Sequence, residues 1–135
     1  MKNHYIFIGP KNVGKKNIIK FLKKNGMKTS NKNTYIEKIE NSDISIMDIE
    51  DIPGIKRNYE GQKQIKVCGI FCSDAEFLKR NKKESVDKEA IVELKRFWGA
   101  DLLCDVYLNV EDYDTDKNLC NRILKWIQWE EDYVK

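Results

Sequence analysis

The stretch Ile6-Phe7-Ile8-Gly9-Pro10-Lys11-Asn12-Val13-Gly14-Lys15-Lys16 decides the fold of this 135-residue chain. It has the form G-x-x-x-x-G-K and lies between an apolar run and a helical pattern, as a phosphate-binding loop requires. Gly9 and Gly14 permit the tight turn in which successive backbone N–H groups point at a phosphate. Lys15 would reach the outer phosphates as a point charge. We therefore expect a nucleotide phosphate to bind in this loop.

The residues that we expect to hold the phosphates belong to the loop or to the start of the following helix: Gly9, Lys11, Asn12, Val13, Gly14, Lys15 and Lys16. Lys16 departs from the motif, which has Ser or Thr here to place a hydroxyl on Mg²⁺. An ammonium group cannot bind a cation, although it can neutralise phosphate charge. The loop therefore predicts phosphate binding, but it does not predict metal-dependent hydrolysis.

The charge distribution suits an anionic ligand. The net charge is only +3, but residues 1–36 contain nine lysines and no Asp or Glu, while residues 101–116 contain six acidic residues and no Lys or Arg. A basic first quarter favours a polyanion such as a nucleotide, and a solvated lysine-rich surface explains most of these lysines equally well. Nucleic-acid binding is the weaker alternative, because interleaved aromatic residues and a known module are lacking.

Length and cysteine usage indicate one cytoplasmic domain over residues 1–135. The apolar runs are far shorter than the ~20 residues that cross a bilayer, so no membrane partner is expected. Cys68, Cys72, Cys104 and Cys120 lack C-x-x-C spacing, and the single histidine, His4, has no partner for a zinc site. We expect reduced, structural cysteines. No His or Cys constellation indicates nucleophilic or metal catalysis, and the sequence does not distinguish a catalytic pair of carboxylates from surface acids.

Hydrophobic periodicity predicts the order β-α-β-β-β-α-α-β-α. The first half of the chain is predicted to contain a strand at 5–8, a helix ending near Gly26, and an antiparallel hairpin of Tyr35–Ile39 and Ile44–Ile49. A polar loop over 55–64 then leads to a strand at Ile65–Cys72 and a helix near 74–81 that begins at an S-x-x-E box. The last predicted elements are a helix from Ser85 to Gly99, a strand at Leu102–Leu108 and a C-terminal helix. The fold class is α/β: a mostly parallel sheet of about five strands, one of them antiparallel, with helices on both faces.

Two acidic residues lie near the end of the predicted hairpin, Asp48 within its second strand and Asp51 just after it. Asp51, with Gly54 behind it, is expected to hold Mg²⁺ through water while the Gly54 N–H senses a γ-phosphate. Asp48 competes for the same role, and a turn or cap residue before Pro53 is the alternative interpretation of Asp51. Thr34, 19 residues after Lys15, is a candidate switch residue or simply the start of a strand.

These motifs resemble the small Ras-like P-loop GTPases, and most closely the EutP/PduV proteins of ethanolamine- and propanediol-utilisation operons. Those proteins carry G-P-x-x-x-G-K-T after the first strand, matched by Gly9–Lys15, and a D-T-P-G switch, matched by Asp51-Ile52-Pro53-Gly54. Their Lys-Thr before the second strand resembles Asn33-Thr34, and their closing G-A, strand and amphipathic helix resemble residues 99–127 here. The resemblance implies a three-layer P-loop NTPase-like fold that binds GTP or GDP, with Mg²⁺ at Asp51.

The chain departs from that family in three ways. Besides Lys16, the guanine-reading [N/T]-K-x-D motif is missing, with Asp74 and Glu84 as its nearest substitutes. About one βα unit is also missing after Gly54. Arg57 and Gln62 are the nearest candidates for positioning water.

Two hypotheses follow from these features. The first is a nucleotide-binding, GTPase-like protein with weak or no hydrolysis. The second is a pseudo-GTPase that acts as a protein-interaction module, with a partner in a bacterial microcompartment or its operon, as the family resemblance implies.

Overall fold

The computed structural model describes residues 3–80 and 87–134, which form a four-stranded sheet and its helices. The strands are β1 (Asn3–Ile8), β2 (Ile44–Ile46), β3 (Gln64–Phe71) and β4 (Val106–Asn109). The helices are α1 (Lys15–Lys24), α2 (Tyr35–Asn41), α3 (Ile52–Asn58), α4 (Asp74–Arg80), α5 (Asp87–Arg96) and α6 (Asp116–Val134). Within the described part, no helix is long and apolar enough to span a membrane.

All four strands are parallel and lie in the order β2-β1-β3-β4. The prediction of about five strands with one antiparallel strand is therefore wrong, whereas the α/β class is confirmed. β1 is buried along its whole length, as an apolar run without alternation predicts for a strand covered on both faces. Its neighbours β2 and β3 extend to the same edge, so the loop after β1 lies at the centre of that edge.

Helices cover both faces of the sheet. On one face Tyr5 and Phe7 pack in a single core with residues of α1 and α6. On the other face Ile6 and Ile8 pack with residues of α2 and α3. The apolar spacing of the last helix predicts an inner face that extends to Tyr133. Its first four members are buried, Leu119, Ile123, Trp126 and Ile127, whereas Tyr133 is 78% exposed and does not belong to it. The three-layer arrangement follows from this division.

The predicted strand at Tyr35–Ile39 is helix α2. The Thr34 hydroxyl accepts a hydrogen bond from the Glu37 backbone N–H at 3.2 Å and donates one to the Glu37 carboxylate at 3.1 Å. This is a T-x-x-E capping box, which satisfies a backbone donor that a helix start leaves unpaired. Without a hairpin, β2 pairs in parallel with β1 instead. Thr34 is thus a helix cap and not the start of a strand.

The segment after β2 is helical as well. Ile49–Asp51 form a 3₁₀ turn that leads into α3, so the predicted strand end at Ile49 and the predicted loop from 55 are wrong. Pro53 lies in the first turn of α3, where a residue without an N–H costs nothing. Ile52 and Ile55 are fully buried and provide the reason that this segment folds onto the sheet.

The remaining elements agree with the sequence except at β4. The helix after Ser73 is α4, and the Ser73 hydroxyl accepts from the Glu76 N–H at 3.2 Å. Ser85 lies outside the described residues. The last strand begins only at Val106, because Ala100–Leu103 form a 3₁₀ turn. Cys68, Cys72, Cys104 and Cys120 are free thiols, as predicted.

Replacing Thr34 with alanine should reduce the free energy of unfolding by about 1 kcal/mol, because the first turn of α2 loses its cap. Thr34→Ser keeps a hydroxyl and should retain most of the stability. Urea denaturation of the three proteins measures the difference. Equal stability of wild type and Thr34→Ala would show that the cap contributes nothing.

His4 is a buried imidazole in the middle of the fold. Its Nδ1 lies 3.0 Å from the Ser42 carbonyl oxygen, which can only accept, so Nδ1 carries the proton. Its Nε2 lies 2.8 Å from the Ser45 hydroxyl and accepts from it. Burial lowers the pKa of His4 to about 4, with the Ser42 hydrogen bond opposing the shift. The ring therefore joins β1 to β2 as a neutral group.

Stability should fall as pH drops from about 6.5 toward about 4, because the unfolded chain protonates His4 first. The loss between about pH 7.5 and about pH 5 should be about 2 kcal/mol. His4→Gln does not titrate and should lose correspondingly less over the same interval. Parallel unfolding curves for the two proteins at both pH values would contradict the assignment of a neutral His4.

Candidate functional site

A cleft of about 680 Å³ opens at the carboxyl ends of β1 and β2. It is bounded by the glycine loop, the start of α2, the segment after β2 and the end of α5. The lining residues are Gly9, Lys11, Lys15, Asn33, Thr34, Tyr35, Ile36, Lys38, Ile46, Met47, Asp48, Ile49, Asp51, Glu93, Arg96 and Phe97. A volume of this size accommodates a small-molecule ligand. The position agrees with the rule that parallel sheets bind ligands beyond their carboxyl ends.

The glycine loop turns through two residues with left-handed backbone. Asn12 and Gly14 adopt left-handed φ angles of 61° and 106°, and Gly14 is the N-cap of α1. The two left-handed residues turn the chain back on itself within a few residues. Val13 is buried and anchors the loop to the core. The Asn12 carbonyl accepts a hydrogen bond from Arg80 of α4 at 3.2 Å, so a second helix supports the loop.

Lys15 lies inside the loop. Its ammonium donates to the Gly9 carbonyl oxygen, and the residue lines the cleft. Burial lowers the pKa of Lys15, while the carboxylates of Glu93 and Asp48 oppose that shift. A partly desolvated ammonium in a cleft attracts anions more strongly than one in water, because less solvent screens the charge. Lys15 is thus the principal cationic group beside the loop.

Asp48 occupies the place that was predicted for Asp51. β2 ends at Ile46, and the Met47 N–H donates to the Phe7 carbonyl at 3.3 Å, which fixes the chain beside β1 just before Asp48. Asp48 caps the next turn, since it accepts from the Glu50 N–H at 3.4 Å. Asp51 also lines the cleft, but it lies one turn further along, at the end of the 3₁₀ segment. The acid that directly follows the strand is Asp48.

Arg96, near the end of α5, was not identified from the sequence. Its guanidinium forms ion pairs with Asp48, with Glu50 at 3.2 Å and with Glu93 at 3.1 Å. These pairs connect α5 to the segment after β2 and place the guanidinium in the same cleft as Lys11, Lys15 and Lys38. No local motif marks Arg96, since its partner Asp48 is 48 residues away in the sequence.

The structure brings only some of the other predicted site residues to the cleft. Gly9, Lys11, Thr34 and Asp51 line it, whereas Asn12, Val13, Gly14 and Lys16 are not part of the lining. Lys16 is exposed on α1. Gly54 lies inside α3, so the expected D-x-P-G switch turn is a helix start.

Three of the four candidates for base reading and water positioning are not part of the cleft lining: Arg57, Gln62 and Asp74. Glu84 lies outside the described residues.

The residues present do not suit Mg²⁺. This ion requires octahedral oxygen ligands and is usually held by one or two carboxylates, water and substrate phosphates. The position after Lys15 carries an ammonium, and Asp48 is already paired with Arg96. Across residues 3–80 and 87–134, no cluster of three or more His, Cys, Asp or Glu side chains forms a metal site. Mg²⁺ therefore has no part in the binding mechanism described below.

Comparison of the chain with protein-family models gives no match, and comparison with curated proteins gives no significant one. The likeness to EutP/PduV proteins stays a prediction based on the motifs above.

Proposed function

We propose that the chain binds the phosphates of a nucleotide in the loop Gly9–Lys16, in the manner of a GTPase-like protein with weak or no hydrolysis. The observation that carries the proposal is the conformation of this loop. Its left-handed residues, Asn12 and Gly14, lead directly into the start of α1, where the Lys15 ammonium donates to the Gly9 carbonyl oxygen. A helix N-terminus and a partly desolvated ammonium, which both favour an anion, are thus adjacent in this loop.

The binding mechanism follows from ordinary electrostatics. The first turn of α1 leaves N–H groups unpaired, and its dipole adds partial positive charge at the same end. The amides of residues 11–15 would donate to phosphate oxygens, and Lys15 would exchange its hydrogen bond to the Gly9 carbonyl for a stronger one to a phosphate. No side chain is assigned to activation of water, so the proposed activity is binding.

The rest of the cleft suits the remainder of a nucleotide. Nucleoside groups need apolar surface and a few polar groups for orientation. Tyr35, Met47 and Phe97 provide apolar lining, and Thr34 and Asn33 provide polar groups near them. The sequence lacks the guanine-reading motif of the family, so the base of the nucleotide is left open in this proposal.

A thermal-unfolding titration with GTP, GDP, ATP and ADP tests the proposal. A ligand at 100 times its dissociation constant stabilises the folded state by about 2.7 kcal/mol, a shift in melting temperature on the order of 10 °C for a domain of this size. We expect such a shift with at least one nucleotide. If none of them moves the melting temperature at millimolar concentration, the proposal is wrong and the interaction-module hypothesis takes its place.

A further inference from the structure

We infer that this site binds its polyphosphate ligand without a divalent cation, with the Arg96 guanidinium in place of the metal. The inference rests on the proposed function and goes beyond it, because it assigns the counter-charge of the ligand to the protein itself. The ligand class is a nucleoside diphosphate or triphosphate in its metal-free form.

A metal at this edge of the sheet would need a carboxylate that is already engaged. Asp48 lies two residues after the end of β2 and is paired with Arg96, which also holds Glu50 and Glu93. A cation that bound Asp48 would have to displace a guanidinium engaged by three carboxylates. Mg²⁺ also loses its own water ligands reluctantly. The ion pairs therefore compete with a metal for the Asp48 carboxylate.

A metal in this cleft would also lack its usual ligand from α1. The motif has Ser or Thr after the lysine to place a hydroxyl on Mg²⁺, and this chain has Lys16 there. The Lys16 side chain is exposed and does not line the cleft, so this position supplies no oxygen ligand.

A diphosphate or triphosphate requires cations beside its oxygens. Four cationic side chains line the cleft, against three carboxylates, so the lining has one excess positive charge: the cations are Lys11, Lys15, Lys38 and Arg96, and the carboxylates are Asp48, Asp51 and Glu93. A guanidinium has five N–H donors, of which the three ion pairs use three, so it can hold its carboxylates and donate to phosphate as well. Arginine also matches the geometry of phosphate oxygens better than a lysine does.

The experiment is isothermal calorimetry with GDP and with ADP, each in excess EDTA and in millimolar Mg²⁺. For the wild-type chain we expect the two dissociation constants to agree within about threefold for the nucleotide that binds. Arg96→Gln should bind at least about tenfold more weakly in EDTA. Lys95→Ala removes a neighbouring, exposed cation that does not line the cleft and should behave as wild type.

The double variant Lys16→Thr with Arg96→Gln supplies the missing hydroxyl and frees Asp48. Its affinity should rise at least about tenfold when Mg²⁺ replaces EDTA. Binding of the wild-type chain that occurs only with Mg²⁺ would overturn the inference and leave the proposed function intact. Absence of binding in both buffers would overturn both. Unfolding curves of the ligand-free variants establish that each variant is folded.

Discussion

Replacement of Lys15 with alanine is expected to weaken nucleotide binding about 100-fold or more and so to abolish the nucleotide-dependent shift in melting temperature. Loss of one partner of a desolvated charge pair costs about 2–5 kcal/mol, and Lys15 is the cation within the glycine loop. The same change should leave the ligand-free protein as stable as before or slightly more so, because it removes a partly buried ammonium whose pKa burial lowers.

The control for this variant is Lys20→Ala. It removes the same charge from the same helix, at an exposed position that does not line the cleft. It should bind nucleotide as the wild type does. Equal weakening in both variants would indicate that the positive charge of the basic first quarter matters and that the loop itself does not bind phosphate.

Replacement of Gly9 with alanine is expected to destabilise the fold by at least about 3 kcal/mol. A Cβ at this position would overlap the backbone carbonyl oxygen of Ile70 and would lie 3.3 Å from the Val13 side chain. Ile70 belongs to β3, which pairs with β1 along six residues, so neither strand can move away without disturbing the centre of the sheet. Gly9 is required for close approach of the two strands as well as for the loop.

Gly54→Ala is the matched control for that variant. No atom lies within 4 Å of a Cβ at Gly54, which is helical, so alanine should stabilise the chain by about 0.5–1 kcal/mol. Chemical denaturation measures both variants. If Gly9→Ala unfolds at the wild-type denaturant concentration, the contact between the end of β1 and Ile70 is described wrongly.

The glycine loop and its helix could be predicted from the sequence because the signals there are local. Two glycines at fixed spacing set the backbone, and the apolar face of α1 follows directly. The helix α2 was missed although its signal is also local. Thr34 and Glu37 form a capping box, and Tyr35 and Ile39 are four residues apart on one face. The run Tyr35–Ile39 and the run Ile44–Ile49, joined by a short polar segment, favour a hairpin instead. Burial of Ile39 in the core shows that the first run is helical.

The acidic and cationic groups of the cleft depend on tertiary structure and were only partly predicted. Which of Asp48 and Asp51 lies next to the end of β2 depends on where that strand ends. The strand ends at Ile46, so Asp48 is the nearer acid, and the 3₁₀ turn Ile49–Asp51 carries Asp51 three residues further along. Arg96 reaches Asp48 only because α5 packs above the carboxyl end of the sheet. No spacing in the sequence indicates that contact, so the counter-ion of the site could not be found before the fold was known.

Backbone amide chemical shifts test most directly whether the phosphates bind in the loop Gly9–Lys16. The measurement is a ¹H–¹⁵N correlation spectrum of the chain titrated with the nucleotide that stabilises it most. The largest shift changes should occur at the amides of residues 11–16, above all Gly14 and Lys15, and the Lys15→Ala variant should not show them. Largest changes elsewhere in the chain, with these amides unmoved, would contradict binding of the phosphates in this loop.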